Sequence, residues 1–293
     1  MTGVILKAIS GFYYVSSEGQ VYECKARGNF RNNQVSPTVG DRVEFSVTQD
    51  LCGVVERVSQ RKNILTRPLI ANIDKIFIVS SYTIPAPDTL MIDRLTAIAS
   101  FHNIEPIIVF NKCDMGDFTE FAKIYISSGF KTYVVSAKDG VGIEELKNET
   151  KDCISAFIGN SGVGKSSILN AVFGDFQLKT GEVSKKLGRG RHTTRHTELF
   201  PHKLGGFVAD TPGFSSLETM AENSYDFKVN LPECFADFEE YLGGCRFTSC
   251  THTCEKGCAV LDAVNKGLIE ESRHNSYKIM FDELKEVKPW NSK

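Results

Sequence analysis

The sequence predicts an α/β protein in three parts: a small β-barrel over residues 1–62, a doubly wound α/β domain over 63–226, and a metal-binding section with helices over 227–293. Three observations carry this. Short runs of β-branched and aromatic residues crowd the first part. Apolar strands alternate with helical spacing through the second. Four of the nine cysteines fall within 245–258, in the third.

In the first part the expected strands are Val4–Ala8, Phe12–Val15, Val21–Lys25, Arg42–Val47 and Val54–Val58, with turns at Ser17–Gln20 and Val39–Asp41. Five strands in so short a segment suggest a closed barrel, most simply an OB-fold. Through residue 62 there are eight Lys/Arg against six Asp/Glu, with Lys25, Arg27 and Arg31 beside Phe30. Such a loop can track a single-stranded RNA backbone, and an ordinary solvated hairpin has the same composition.

In the second part Ile73–Val79, Pro106–Phe110, Thr132–Val135, Ile154–Ile158 and Phe207–Ala209 are apolar runs of the kind buried in parallel sheets. Asp88–Ser100, Phe118–Ser127, Ile143–Glu149 and Lys165–Phe173 have helical spacing, several behind polar caps. In the third, Val260, Leu261, Val264, Leu268 and Ile269 form one apolar stripe, continued by Tyr277, Ile279, Met280 and Leu284.

The net charge of −2 argues against a polycation that binds nucleic acid by bulk attraction. No apolar run approaches the roughly 18 residues of a membrane span, and the first residues do not read as an export signal. A cytoplasmic monomer is the expectation, and its clustered cysteines suit a metal better than disulfides.

Asn111-Lys112-Cys113-Asp114 follows an apolar strand. A carboxylate at Asp114 can accept two hydrogen bonds from the imino and amino groups of guanine, a pair adenine lacks. Asn111 can anchor the loop, and the Lys112 stem can cover a ring face. After the next strand comes Ser136-Ala137-Lys138, where the Ala137 N–H can meet the guanine carbonyl. The phosphate loop comes later, as Gly159-Asn160-Ser161-Gly162-Val163-Gly164-Lys165-Ser166, with Ser167 behind it. Its glycines let backbone amides wrap phosphates at a helix N-terminus; Lys165 reaches the outer phosphates and Ser166 ligates Mg²⁺. In ordinary GTPases the phosphate loop precedes the base-reading motifs. Here the order is inverted, as in a circularly permuted P-loop GTPase domain.

Asp210-Thr211-Pro212-Gly213-Phe214 ends a strand. Asp210 is expected to hold Mg²⁺ and the Gly213 N–H to touch the γ-phosphate. Phe214 stands where a glutamine usually positions the attacking water, so intrinsic hydrolysis should be slow. Between the phosphate loop and Asp210 lies Gly188–His196. Thr193 or Thr194 is expected on Mg²⁺, and His192 is a candidate for positioning water. From Lys179 to Lys203 seven Lys/Arg oppose two Asp/Glu, a loop suited to an RNA backbone or simply to solvent.

Cys245-x4-Cys250-x-His252-x5-Cys258 supplies three thiolates and an imidazole, the donor set of a closed structural zinc site, with Cys254 a fifth candidate.

Taken together, the NKCD, SAK, GNSGVGKS, GRGRHTTRH, DTPGF and CRFTSCTHTCEKGCAV segments resemble the RsgA/YjeQ/YloQ family of circularly permuted bacterial GTPases. The resemblance covers nearly the full chain, with one departure at Cys254-Glu255-Lys256, where the family tends toward Glu-Pro. It implies GTP hydrolysis to GDP stimulated by the small ribosomal subunit, late in that subunit's maturation, with the barrel and the zinc section gripping ribosomal RNA. It also implies Cys245, Cys250, His252 and Cys258 as the ligands of one structural Zn²⁺, and Mg²⁺ with GTP. The segment after Asp210 runs almost directly into the zinc section, so nucleotide state is expected to bias RNA affinity. The rival readings are a permuted switch acting on a protein partner without ribosomal RNA, and a structural RNA-binding protein that does not turn over GTP.

Overall fold

The computed structural model describes residues 1–27, 36–66, 68–82, 86–174, 197–210 and 225–288. The chain divides into two compact units: Met1–Lys75 with Glu144–Phe157 and Ser166–Phe214, and Ile76–Ile143 with Ile158–Lys165 and Ser215–Lys293.

The first unit opens with five strands: β1 (Thr2–Ile9), β2 (Phe12–Ser17), β3 (Gln20–Ala26), β4 (Arg42–Gln49) and β5 (Cys52–Val58). β1–β2, β2–β3, β4–β5 and β1–β4 pair antiparallel and β3–β5 parallel, which closes the barrel in the order 1-2-3-5-4. Ile5, Val15, Tyr22, Cys24, Val43, Phe45 and Val55 form its core. The turn after β2 places both Glu18 and Gly19 at positive φ, the type I′ geometry that matches strand twist. Gly40 has φ +86 and lies so close to Ala71 that a Cβ would sit 2.0 Å from the Ala71 oxygen. That contact seats the barrel on a hairpin the sequence reading did not foresee, β6 (Ile64–Thr66) with β7 (Leu69–Ala71). Asn63 closes its base, donating to Ile73 O and accepting from Ile73 N–H.

The same unit holds most of α3 (Ile143–Glu149), β11 (Ile154–Ile158) and α4 (Lys165–Phe173), with β12 (Glu198–Pro201) and β13 (Phe207–Asp210). β11 and β13 are parallel, as their apolar runs predict. β12 was not anticipated: it runs antiparallel to β13 and pairs on its other side with β1 at Lys7↔Glu198.

The second unit carries β8 (Lys75–Ser81), β9 (Glu105–Asn111) and β10 (Lys131–Val135) in the order 10-9-8, with α1 (Thr89–Phe101) and α2 (Thr119–Ser127). Asp88 caps α1, its carboxylate accepting from Met91 N–H at 3.2 Å. Phe118, the residue before α2, offers no cap of its own; Asp117 takes that part, its carboxylate accepting from Thr119 N–H at 2.9 Å. Further along are α5 (Tyr225–Asn230), α6 (Ala259–Asn265) and α7 (Glu271–Leu284). Val260, Ile269, Tyr277, Met280 and Leu284 are buried as expected. Leu268 and Ile279 are instead 60% and 43% exposed: Leu268 lies in the turn between α6 and α7, and Ile279 lies off the face of α7 that carries Tyr277, Met280 and Leu284.

Candidate nucleotide site and metal centre

β9 ends in Asn111, 2% exposed, and its side-chain amide faces two loops at once. Nδ2 donates to Val163 O in the phosphate loop at 2.9 Å, and Oδ1 accepts from Ala137 N–H at 3.2 Å. Lys112 has φ +68, and its ammonium donates to Gly162 O at 2.8 Å. Two neighbouring side chains of the base-reading motif thus hold the phosphate loop from one side.

The glycines of that loop are required by shape. A Cβ at Gly159 would lie 2.1 Å from Val79 O, and one at Gly164 would lie 2.3 Å from Asn111 Nδ2. The Lys165 ammonium donates to the Gly159 and Asn160 carbonyls at 2.7 and 2.8 Å, and its partial burial pushes its pKa down. Ser166 and Ser167 stand exposed in the first turn of α4.

Asp114 is held by Ser136, whose hydroxyl lies 3.0 Å from both Asp114 Oδ1 and Asp139 Oδ2. A hydroxyl has one proton, so it serves one carboxylate at a time. Asp139 also donates its N–H to Ser136 Oγ at 3.2 Å. Asp139 was not singled out from sequence, although an aspartate three residues after a serine is a familiar turn-former. Lys138 is 80% exposed, 3.7 Å from Asp114 Oδ2. The sequence reading also missed Tyr82, whose ring lies 2.3 Å from where a Gly116 Cβ would be.

His192, Thr193, Thr194, Gly213 and Phe214 lie outside the described residues, as do Phe30 and Arg31. Of Asp210 the backbone closes β13, and its side chain is likewise outside.

Residues 58–220 match the RsgA GTPase family and residues 2–55 the RsgA N-terminal domain. The chain belongs to the RsgA GTPase family. The "Small ribosomal subunit biogenesis GTPase RsgA" of Caldanaerobacter subterraneus subsp. tengcongensis is 42% identical over 97% of this chain and 96% of its own. The protein of that name from Geobacillus sp. (strain WCH70) is 43% identical over 98% of each. Among solved structures, YjeQ from Thermotoga maritima superposes with a TM-score of 0.84 at 36% identity, covering 98% of this chain and 99% of that one. YloQ, described as a circularly permuted GTPase, gives 0.81 at 33%, covering 98% and 96%. The chain is a GTP hydrolase with a permuted GTPase domain behind an OB-type barrel.

Cys245, Cys250, His252 and Cys258 bring their ligand atoms within 4.8 Å of one another, and this Cys₃His set can hold a metal ion. His252 Nδ1 is 3.5 Å from both Cys245 Sγ and Cys258 Sγ. Cys254, the fifth candidate, is exposed and outside the group. The first turn of α6 aims amides at the sulfurs: Ala259 N–H donates to Cys245 at 3.4 Å and Leu261 N–H to Cys258 at 3.5 Å. Burial pushes the Cys250 thiol up to about 12, so thiolates here depend on the charge of a cation. Glu255, beside the departures at Cys254 and Lys256, has a structural use. Burial would raise its carboxyl, but the Thr251 hydroxyl and the backbone amides of Thr251 and Cys254 hold it near 2. It pins the loop between His252 and Cys258. His274 Nε2 meets His252 O at 2.7 Å and the Tyr277 hydroxyl donates to Thr251 O at 2.8 Å, so α7 fixes the ligand loop from behind.

Among the described residues no helix is long and apolar enough to cross a membrane.

Proposed function

We propose that this chain binds the small ribosomal subunit in the cytoplasm late in its maturation and hydrolyses GTP when the subunit completes the active site. The observation that carries the nucleotide half is the Asn111 bridge, which holds the base-reading and phosphate-binding loops together. In this reading Asp114 accepts from guanine, with Asn111, Lys112, Ser136, Ala137 and Lys138 shaping the base pocket. Gly159 to Ser167 wrap the phosphates. Ser166, Asp210 and Thr193 or Thr194 serve Mg²⁺, which supplies charge neutralisation on the phosphates when bound. His192 and Gly213 belong to the hydrolytic step. Cys245, Cys250, His252 and Cys258 suit Zn²⁺, which would cross-link the loop and leave no open position for chemistry. The working division is 1–62, 63–226 and 227–293, acting as a monomer.

A partner that completes a GTPase site raises turnover by about 10³–10⁵. The names of the relatives support the ribosome as that partner. The test is GTP turnover by the purified chain, alone and with isolated small subunits, with large subunits and ATP as controls. Stimulation by small subunits alone, specific to GTP, is expected. Absence of stimulation removes the ribosome as activator and favours a switch acting on a protein partner.

A further inference from the structure

Phe247 lies between two of the four clustered ligand residues, Cys245 and Cys250, with its ring 49% exposed. The loop displaying it is fixed. Arg246 N–H donates to Gly257 O at 2.9 Å, and Cys250 N–H to Phe247 O at 3.2 Å. The Arg246 guanidinium lies 5.5 Å from the ring centroid. Phe247 is one wall of a cavity of about 340 Å³ that opens beside the metal centre: Cys245, Cys250 and His252 line its floor, and Val229, Glu233 and Leu242 are among its other walls. Val229 is 58% exposed on the same cavity, an open slot of mixed polar and apolar lining with Glu233 on its wall.

We propose that this slot takes one unpaired RNA base, stacked on Phe247, with Glu233 accepting hydrogen bonds from the amino or imino groups on the base edge. The inference rests on the ribosomal reading above and adds to it a contact site and its chemistry. The size suits one nucleoside, being at the lower end of the roughly 300–1,000 Å³ found for small-molecule sites. The ring is flat, carried on a hydrogen-bonded loop and flanked by a cation, an arrangement on which a base can stack. A carboxylate in the slot selects bases that offer N–H donors, guanine above all.

Charge decides the manner of binding. Residues 225–288 carry eight Lys/Arg against twelve Asp/Glu, so this section does not attract a phosphate backbone by bulk field. Stacking needs no counterion release and barely responds to salt, whereas each phosphate contact steepens the salt dependence.

The test uses the full-length, metal-loaded chain with Phe247→Ala and Phe247→Trp. Binding to isolated small subunits is measured with a non-hydrolysable GTP analogue at low and high salt. Metal content and GTP affinity are measured alongside to establish that the fold is intact. Phe247→Ala is expected to weaken binding on the order of tenfold, by the same factor at both salts, and Phe247→Trp to retain it. Equal binding by the alanine variant overturns the proposal, as does a loss that appears only at low salt. A photoreactive benzoylphenylalanine at 247 is expected to cross-link to RNA, and cross-linking only to protein overturns it. If the wild-type chain does not bind subunits, the ribosomal reading falls by itself. Single-stranded oligonucleotides of about twelve residues, rich in guanine or in uracil, then decide for the slot alone. Loss with Phe247→Ala on the guanine-rich strand upholds it and no difference ends it.

Discussion

Arg273 on α7 donates to Asp93 on α1 at 2.8 Å, and both side chains are closed to solvent. The other arm of the guanidinium reaches Asp237 at 2.7 Å. Its two faces rest on Phe130 and Phe235, 4.9 and 4.8 Å from the ring centroids. Burial pushes the Asp93 carboxyl up and the Arg273 charge pulls it back. With the Arg94–Glu283 pair at 2.7 Å beside it, the metal-bearing section is fastened to the helix that precedes β9, whose last residue is Asn111. The sequence-based expectation looked to the segment after Asp210 for coupling; among the described residues the metal-bearing section is held to α1 as well.

Removing the guanidinium leaves two buried carboxylates without a counter-charge. Arg273→Met is expected to cost about 3–5 kcal/mol, read from denaturant unfolding. Arg273→Lys should recover little, because an ammonium cannot fill the planar slot between two rings and fork to two carboxylates. A methionine variant as stable as the parent would show the triad to be dispensable.

Gly164→Ala should abolish tight nucleotide binding while leaving the fold. The added Cβ meets Asn111 Nδ2 at 2.3 Å, and φ is +95. Asn111→Ala removes both bridging bonds and is expected to weaken GTP binding at least tenfold, at about 1–3 kcal/mol for each buried partner stranded. Fluorescent-nucleotide titration with a melting curve on each variant separates lost binding from lost folding.

Asp114→Asn exchanges an acceptor for a group that both donates and accepts. Guanine loses a partner, and xanthine, with an oxygen in place of the amino group, gains one. A switch in preference from GTP toward XTP is the expected result in competition binding. Unchanged GTP affinity would remove Asp114 from the base site.

Metal analysis discriminates among the five candidates in the Cys/His segment. Cys254→Ser should keep one zinc per chain, its thiol being exposed and outside the cluster. Cys250→Ser should lose it and melt earlier. The reverse result would reassign the fourth ligand.

His202 makes stability depend on pH. Its ring packs 4.5 Å from Phe173, Leu204 N–H donates to Nδ1 at 3.2 Å, and Nε2 is buried without a partner. Burial lowers its pKa, with Asp152 opposing in part. The neutral ring therefore contributes stability that is complete above its ordinary value of about 6.5 and is lost as pH falls through the lower, folded value. His202→Phe keeps the stack, starts less stable because Leu204 loses an acceptor, and should show a smaller fall in melting temperature from about pH 8 to about pH 5.5. An equal fall in both proteins would place the acid sensitivity elsewhere.

Much of this architecture was legible because its signals are local. Each barrel strand alternates or is rich in β-branched residues, and Gly19 supplies the positive φ that a tight turn needs. The β11–α4 junction announces itself through glycine spacing. What escaped was long-range. β6, β7 and β12 are three or four residues long and have no period of their own; β12 exists because β13 and β1 present edges to it. Arg273 reads as an ordinary surface arginine until Asp93, 180 positions earlier, is brought against it. In the nucleotide site the residue types were evident, whereas Asn111's double duty and Asp139's share of Ser136 depend on where separate loops meet. Leu268 was misplaced because a stripe drawn through both helices ignores the bend between them, and Ile279 because it falls off the face of α7 that Tyr277, Met280 and Leu284 share.

The pairing of β1 with β12 bears on how such proteins can be dissected. Lys7 and Glu198 stand opposite one another in that pairing and share an ion pair at 3.0 Å. A truncation beginning at residue 63 would strip one side of β12 and leave a row of bare amides and carbonyls, the kind of edge that recruits strands from other molecules. The barrel thus serves its neighbour as a stopper. A shortened version prepared for biophysics would tend to clump, and its inactivity would then say more about solubility than about catalysis.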